Sequence, residues 1–327
     1  MKKFIVLAII VFLFFLLHGQ ADDFKQHQAL LATKGYPWKA EHTELSDLNL
    51  TQKKMMLGLQ PPIAGKTFSF SSTAPAGVPV WDWRNVKGIS WVTPVKDQGQ
   101  CGSCVAFATV TIVESAAEIA RNSSAPNIDL SEAFLFSHGG SCSGGWRIYD
   151  ALDSARDVGI TDEQCWPYGG SGPCSDWKNR LINISSWTTT TDPKNWLVTR
   201  GPIMTGMAVY TDLFDYESGV YEQTYGDLAG YHAICIVGYN DSGGYWIVKN
   251  SWGLNFGESG YFRIKYNQCG MGTEFPWYCV TISAVPPGPT PPIPVGHEAT
   301  ILGLAGAVAV KILSQRNGSK SKSWPRR

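Results

Sequence analysis

The chain has 327 residues, of which 44% are hydrophobic and 17% are charged, a composition that supplies a sizeable core and is typical of a globular protein. Its 27 basic residues equal its 27 acidic residues in number, and no long basic run occurs before the last dozen residues. This balance gives no reason to expect a nucleic-acid partner, so that class of function is set aside.

Residues 1–21 are organised as a secretory signal peptide, with two lysines, an apolar block from Phe4 to Leu17 and small residues at Gly19 and Ala21. The block is short for a membrane-spanning helix, which argues against the alternative of an N-terminal membrane anchor. We therefore expect the chain to enter the secretory pathway and to reach the extracellular space or a lysosome- or vacuole-like compartment. Its eight cysteines should form disulfides there, because such compartments are oxidising.

Residues 22–77 differ in character from the residues C-terminal to them. They are charged and weakly periodic as far as Leu59, and Pro61 and Pro62 then lead into a stretch rich in Ser, Thr and Gly. We interpret this region as a propeptide and its linker. The alternative is a small N-terminal helix that stabilises the protein and is never cleaved.

A strongly apolar run from Val105 to Ala120 predicts a helix that is buried on nearly every face. Cys104 lies directly before this run, on the first turn of the predicted helix. A thiol in that position lies in the positive end of the helix dipole, which favours the thiolate and makes the sulfur a nucleophile. Cys104 is therefore the candidate reactive residue.

Two more helices and a set of strands are predicted further along. The segment 129–132 opens a short helix, and a third helix is expected from about Arg147 to Val158, with Gly159 as its stop. Helices in the first half and strands in the second predict an α+β protein. The strands are expected in three runs rich in β-branched and aromatic residues, at 231–239, 244–250 and 260–266, with the turn 240–244 between the first two.

The C-terminal residues fall outside this pattern. Residues 286–298 are rich in proline and predict an extended stalk, and residues 299–327 hold an apolar block and a basic tail. This order suits a C-terminal membrane anchor, but the block from Ala299 to Val310 is shorter than the roughly 17 to 25 residues of a spanning helix. We expect a tail that does not anchor the protein.

Two later segments supply the groups that a reactive cysteine needs. His232 opens an apolar run, and Asn250 lies in residues 249–253, KNSWG. Both come after Cys104 at the separation of about 130 to 150 residues that is typical of the papain and cathepsin proteases. Together with residues 98–104, QGQCGSC, these segments closely resemble the papain-like family of cysteine proteases.

The resemblance implies a catalytic role for four residues. Cys104 would be the nucleophile, and His232 would hold it as an ion pair and later protonate the leaving amine. Asn250 would bond the other ring nitrogen of the histidine and fix its orientation. Gln98 would stabilise the oxyanion together with the backbone amide of Cys104. Pairing with histidine can lower the pKa of such a cysteine to roughly 3 to 4.

The resemblance also implies a two-lobed fold, in which a helical N-terminal lobe packs against an antiparallel, β-barrel-like C-terminal lobe with the catalytic cleft between them. The peptidase domain would cover residues 78–285. The segments 44–48 and 55–59 resemble family prosegments, which lie through the cleft as intramolecular inhibitors, and acid would loosen them by protonating carboxylates. The implied protein is a monomeric zymogen that uses no metal or organic cofactor and cleaves protein or peptide substrates.

Substrate-binding residues are implied by the same resemblance. Gly144 and Gly145 would bind the substrate, and Glu274 would lie at the floor of the main selectivity pocket, which would accept Phe, Leu and Arg. In the alternative, Glu274 points into solvent. The short connection from Gly145 to Cys165 lacks the long insertion that blocks the cleft in the exopeptidase cathepsin B, which favours an endopeptidase. The walls of the pocket would be Trp146, Gly206, Tyr231 and Ala233.

Disulfide pairs are implied in part. Cys101 would pair with Cys142, as in the family, and Cys165 would pair locally with Cys174. The pairing of the three other cysteines outside the site stays open, and at least one of them must be free or bonded outside the chain. These three are Cys235, Cys269 and Cys279.

Two other functions remain as alternatives. Cys101 and Cys104 also form a C-x-x-C pair, which is typical of thiol-disulfide oxidoreductases, but no convincing buried strand precedes it and His232 and Asn250 would be unexplained. A catalytically silent, protease-like binding protein is the other alternative, and the intact Cys104 argues against it. Each site residue alone could be an ordinary structural residue, but their joint order and spacing favour the protease.

Overall fold

The computed structural model describes residues 24–71, 73–125 and 127–282. The predicted signal peptide, proline-rich stalk and C-terminal tail lie outside these residues. Contacts divide the chain between Val285 and Pro286, and every described residue belongs to the first unit, Met1–Val285. Among the described helices, none combines the length and apolarity that a membrane crossing requires.

The described part of the chain contains six α-helices, and the three helices predicted from the sequence are among them. They are α1 (24–34), α2 (Leu50–Met55), α3 (Cys104–Ala120), α4 (Glu132–Phe136), α5 (Ile148–Asp157) and α6 (Pro193–Thr199).

Helix α3 forms the centre of the helical part. Its apolar residues are almost completely buried, and it packs against α4, α5 and the strand that carries His232. Its two glutamates find partners inside the protein: Glu114 accepts hydrogen bonds from the hydroxyl of Thr93 at 2.5 Å and from the backbone N–H of Leu130 at 2.8 Å, and Glu118 accepts one from the N–H of Ile128 at 3.0 Å. Because the helix is buried along its length, its first residue is held in a defined place in the interior.

Nine strands form the rest of the described fold, and they include the three predicted runs. They are β1 (Trp38–Ala40), β2 (Val80–Asp82), β3 (Ser186–Thr190), β4 (Ile203–Tyr210), β5 (Tyr216–Tyr221), β6 (Leu228–Asn240), β7 (Tyr245–Lys249), β8 (Tyr261–Lys265) and β9 (Trp277–Thr281).

The strands form one open sheet in the order β1-β5-β8-β7-β6-β4-β9-β3, with β2 added beside β6. This corrects the expectation of an antiparallel, barrel-like lobe, because the order has two separate ends and β5 runs parallel to β8. The hydrogen-bond pairings give the physical reason. At one end of the sheet β1 pairs only with β5, and at the other β3 pairs only with β9, so the two end strands are not joined to each other among the described strands. The fold class itself is α+β, as predicted.

The long strand β6 positions the candidate site. It pairs with β4 on one side and β7 on the other, and in this register His232 lies opposite Met207 and Ala233 lies opposite Gly206. Residues 24–77, which we call the N-terminal segment, contact the same part of the sheet, since β1 pairs with β5 and α2 packs against β6. The start of α3, the strand β6 and the N-terminal segment therefore meet at one point.

Candidate active site

Cys104 lies at that meeting point. It is the first residue of α3, and its side chain has no exposed surface. Its Sγ accepts hydrogen bonds from the backbone N–H of Ala233, at 3.4 Å, and from that of Gly58, at 3.3 Å. The sulfur is therefore enclosed by β6 from one side and by the N-terminal segment from another.

His232 and Asn250 are brought together by the pairing of β6 with β7. The Nε2 of His232 lies 2.8 Å from the Oδ1 of Asn250, and the same Oδ1 accepts the backbone N–H of Ser251 at 2.8 Å. Because a carbonyl oxygen can only accept, Nε2 must carry the proton and Nδ1 is left with a free lone pair. That Nδ1 is buried and has no protein partner among the described residues. The imidazole is thus held in the tautomer that can take a proton at Nδ1.

Trp252 covers this pair from one side. The ring centroids of Trp252 and His232 lie 4.8 Å apart, and the ring of Phe214 stacks on that of Trp252 at 5.0 Å. The imidazole and its asparagine partner are 1% and 4% exposed, so the bond between them is shielded from water.

Gln98 is held beside the same cleft. Its Oε1 accepts the hydroxyl of Ser251 at 2.6 Å, which turns the amide nitrogen the other way. Its Nε2 donates to the carbonyl of Cys101 at 2.7 Å and to the carbonyl of Met56 at 3.0 Å. One of the two amide hydrogens is therefore occupied by a backbone oxygen of the N-terminal segment.

The protonation states differ from the sequence-based expectation of a thiolate. Burial raises the pKa of Cys104 to about 11, although backbone hydrogen bonds to the sulfur oppose the shift. Burial also lowers the pKa of His232 to about 4, against the opposing effect of its bond to Asn250. Burial therefore favours the neutral form of both groups in this structure.

The N-terminal segment crosses the cleft as an extended chain. Leu59 donates its N–H to the carbonyl of Tyr231 at 3.2 Å, which fixes it to β6. On the opposite wall, Trp146 donates its N–H to the carbonyl of Gly58 at 2.7 Å and accepts the N–H of Gln60 at 3.2 Å. Residues 58–60 are thus bonded to both walls of the cleft.

The narrowest point of this crossing requires glycine. A Cβ built on Gly58 would lie 1.8 Å from the carbonyl oxygen of Gly102, and a Cβ built on Gly145 would lie 1.9 Å from the carbonyl oxygen of Gly58. Three backbones approach one another here more closely than any side chain permits. Gly58 was not predicted as a site residue. The only feature of the sequence that pointed to it was its place inside the segment 55–59.

Some of the residues predicted to line the selectivity pocket lie near one another, and their role stays a prediction. The side chain of Leu59 packs against Gly206, and Phe275 lies against the same glycine, with its ring 5.7 Å from that of Tyr231. Phe275 is buried, whereas Glu274 is exposed, which is the alternative that the sequence left open. A cavity of about 630 Å³ continues from Leu59, with both residues on its lining.

The sequence-based mapping counted from Cys269 to Glu274 and did not consider Phe275, the next residue. The loop is closed by a bridge between Met271 and Phe275, and the N–H of Glu274 bonds the carbonyl of Gly270 at 2.8 Å. This compact turn directs residue 275 inward and leaves residue 274 outside. The spacing from Cys269 gave no signal of such a turn.

The other predicted residues lie at the walls of the cleft or in disulfides. Trp146 and Ala233 are buried at the two walls, and Gly144 accepts a hydrogen bond from the side chain of Gln60. Two disulfides are formed, Cys101–Cys142 and Cys165–Cys174, which are the pairs that the resemblance implied. Besides Cys104, the free cysteines of the described chain are Cys235, Cys269 and Cys279.

The fold and residues 78–278 define the class of protein. The sequence profile of the papain family of cysteine proteases matches these residues, which are more than half of the chain. The chain therefore belongs to this family and is a cysteine protease. Cathepsin B-like CP3 of Giardia intestinalis is 36% identical over 204 residues, which cover 55% of this chain and 67% of that protein. A cathepsin L-like proteinase of Fasciola hepatica is 35% identical over 212 residues, or 59% of this chain and 62% of that protein.

Solved structures of proenzymes share the fold. The digestive procathepsin L2 proteinase from the larval midgut of Tenebrio molitor aligns with a TM-score of 0.66 at 27% identity, and the alignment covers 81% of this chain and 90% of that one. This neighbour is a proform, and the similarity supports a zymogen for the present chain.

Proposed function

We propose that the protein is a secreted or endolysosomal cysteine endopeptidase, synthesised as a monomeric zymogen, in which Cys104, His232 and Asn250 are the catalytic residues. One observation carries the proposal. The 2.8 Å bond between His232 and Asn250 fixes the imidazole tautomer that can accept a proton at Nδ1, while the next residue, Ala233, donates its N–H to the sulfur of Cys104.

The reaction begins when the N-terminal segment has left the cleft. With water admitted, the proton of Cys104 moves to Nδ1 of His232, and the thiolate attacks the carbonyl carbon of the scissile peptide bond. The Nε2 of Gln98 and the backbone N–H of Cys104 stabilise the oxyanion. Removing one such donor typically costs about 10² to 10³ in rate.

The tetrahedral intermediate formed by this attack collapses to a thioester, which water then hydrolyses. His232 gives its proton to the amine as the C–N bond breaks, which leaves a thioester on Cys104. His232 then takes a proton from water, the hydroxide attacks the thioester, and the thiol regains its proton as the carboxylic acid leaves. Asn250 keeps the imidazole in position through both stages.

The N-terminal segment is the propeptide in this proposal, with its removal near Gly77 or Val78. Two contacts support an inhibitory role. Gly58 presents an N–H to the sulfur, where a substrate would present a carbonyl carbon, and the carbonyl oxygen of Met56 occupies the Nε2 of Gln98. The segment therefore fills the site without offering a bond to cleave.

Active-site labelling tests the proposal. The full chain, activated by acid, is treated with an epoxysuccinyl thiol-protease inhibitor and mapped by peptide mass spectrometry. We expect the label on Cys104, loss of peptide hydrolysis in Cys104→Ala and near loss in His232→Ala. Asn250→Ala should be milder, because asparagine orients the histidine and does not react.

The other functions give different results in the same experiment. An oxidoreductase would reduce insulin disulfides as efficiently as it cleaved peptides, and Cys101→Ser would abolish that activity. A silent binding protein would neither cleave peptides nor carry the label. Normal peptide turnover by Cys104→Ala would exclude the proposed mechanism.

A further inference from the structure

A tyrosine outside the proposed catalytic residues is hydrogen-bonded to the backbone of Gln98 and to the residue directly before Cys104. Tyr168 lies in the loop that the Cys165–Cys174 disulfide closes. Its hydroxyl lies 3.0 Å from the carbonyl oxygen of Gln98 and 2.7 Å from the Oγ of Ser103. One hydroxyl thus joins the residue that carries the proposed amide donor to the residue directly before Cys104.

The direction of these two bonds is determined by chemistry. The carbonyl oxygen of Gln98 can only accept, so the single proton of Tyr168 must point to it. The hydroxyl of Ser103 must then donate to Tyr168. The two bonds form a directed chain from Ser103 through Tyr168 to Gln98.

The environment of Ser103 is independent evidence for this series of hydrogen bonds. It is the N-cap residue of α3, a position where serine usually accepts a hydrogen bond from the first turn of the helix. Here its side chain makes no such bond, although it is completely buried. The serine therefore directs its hydroxyl to Tyr168 and leaves the helix start without a side-chain cap.

Tyr168 is itself held firmly. Its ring meets the ring of Phe107, in the first turn of α3, edge to face at 4.8 Å. Its backbone N–H donates to the carboxylate of Glu163 at 2.6 Å, and the nearby carbonyl of Trp166 accepts the hydroxyl of Ser131 at 2.5 Å. The position of the hydroxyl is therefore fixed by the packing of its ring and by the hydrogen bonds of its loop.

We infer that Tyr168 is a positioning residue for the oxyanion hole, an inference that rests on the proposed function. The backbone of Gln98 is bonded on both sides: its N–H donates to the carbonyl of Ser251 at 2.9 Å, and its carbonyl accepts from Tyr168. The exposed residues Gly99 and Gln100 come directly after it, and Gly99 donates its N–H to the carboxylate of Asp97 at 2.8 Å, so the hydroxyl of Tyr168 is the bond that holds the carbonyl of Gln98 itself. Without it, the backbone of Gln98 loses one of its two restraints, and Ser103, directly before Cys104, loses its 2.7 Å hydrogen bond.

The test is Tyr168→Phe in the full chain after acid activation. Phenylalanine keeps the contact with Phe107 and removes only the hydroxyl. We expect kcat for a peptide substrate to fall about tenfold with KM nearly unchanged, since a small misplacement of a group that acts in the transition state lowers kcat. The matched control is Tyr261→Phe, which removes a hydroxyl from β8, where the ring lies under Arg84 at 4.7 Å, and should leave kcat unchanged.

A second readout separates positioning from a general loosening of the fold. Alkylation of Cys104 by iodoacetamide forms no oxyanion, so its rate should be the same in Tyr168→Phe and in the wild type. In a Gln98→Ala background, Tyr168→Phe should cause a smaller loss of kcat than in the wild type, because one of the two donors that it positions is absent.

Three results would overturn the inference. They are an unchanged kcat in Tyr168→Phe, a parallel fall in the alkylation rate, and an additive effect in the Gln98→Ala background. A wild-type chain that cleaves no peptide after activation would instead refute the proposed function, and this inference with it. Peptide cleavage by the wild type, with label on Cys104, keeps the two outcomes distinct.

Discussion

At the scale of single residues, the candidate site depends on two consecutive side chains at the end of β7. Asn250 accepts a bond from the imidazole of His232, and Ser251 donates one to the amide oxygen of Gln98. The first bond selects the histidine tautomer, and the second selects which end of the glutamine amide faces the cleft. A shift of the chain at this point would therefore disturb the proposed base and the proposed oxyanion donor together.

The selectivity pocket gives a prediction at the same scale. Glu274 is exposed, and buried Phe275 lies against Gly206 in the position where Leu59 is bound. We expect Glu274→Gln to leave the ratio of Phe-Arg to Arg-Arg substrate cleavage unchanged, measured with fluorogenic peptides at one fixed pH for both forms. The contrasting variant is Phe275→Ala, which should change the ratio because it enlarges the apolar pocket.

A selective loss of Arg-Arg cleavage in Glu274→Gln would show that the carboxylate reaches the bound substrate. The expected result instead leaves an apolar pocket that suits Leu or Phe.

At the scale of elements, helix α1 carries a buried histidine into the contact with the rest of the protein. His27 is 1% exposed, its ring stacks on Tyr225 at 5.0 Å, and its Nε2 lies 3.5 Å from the hydroxyl of Thr224. Burial lowers the pKa of His27, and the nearby carboxylates of Asp212 and Asp215 only partly offset it. The bound segment therefore favours the neutral imidazole.

The sign of the pH effect is set by this shift. A histidine whose pKa is lower when the segment is bound than when it is free takes up a proton on release, so binding weakens as the pH falls below its ordinary value of 6.5. Asp212 and Asp215 affect binding in the opposite direction as the pH falls. Burial raises their pKa values, so their protonation favours the buried state. Asp212 and Asp215 lie outside the N-terminal segment, and the expectation that acid protonates the segment's own carboxylates stays a prediction.

We expect His27→Gln to shift the onset of acid activation of the full chain to lower pH. Glutamine has no titrating group, so the segment loses this source of acid sensitivity. The measurement is activity against a peptide substrate after incubation over a pH series, with His42→Gln, an exposed histidine paired with Asp47, as the matched control. An unchanged onset in His27→Gln, or an equal shift in both variants, would contradict the assignment.

At the scale of the whole molecule, the N-terminal segment changes the chemistry of a site that it does not build. Its residues 56–60 cross the cleft, and β1 completes an edge of the sheet. Burial favours the uncharged forms of Cys104 and His232 while the segment is in place. In the proposed zymogen, release of the segment would restore access to the site and permit the charged pair to form.

Thiol reactivity tests this effect. With the pKa of Cys104 raised to about 11, the thiolate fraction at pH 7 is about 10⁻⁴. We expect iodoacetamide to alkylate Cys104 in the uncleaved chain at least about a hundredfold more slowly than in the activated protein at pH 7. Peptide mapping distinguishes Cys104 from the other free cysteines, and equal rates in the two forms would show that the segment does not suppress the thiolate.

Local patterns in the sequence were sufficient for the main elements. The apolar run after Cys104 predicted α3, and the β-branched runs predicted β6, β7 and β8, because periodicity and residue type reflect which surfaces are buried. The motifs around Cys104, His232 and Asn250 indicated the family, since those residue types at those separations rarely occur together by chance.

Only the tertiary structure decided how distant segments meet at the site. Gly58 reaches the sulfur from 46 residues away, and Tyr168 reaches Gln98 from 70 residues away. The direction of Phe275 depends on a compact turn, and one end of the open sheet is formed by β1, a strand of the distant N-terminal segment. Such contacts leave no local periodicity in the sequence, because they arise from backbone hydrogen bonds and close packing between segments that only the folded chain brings together.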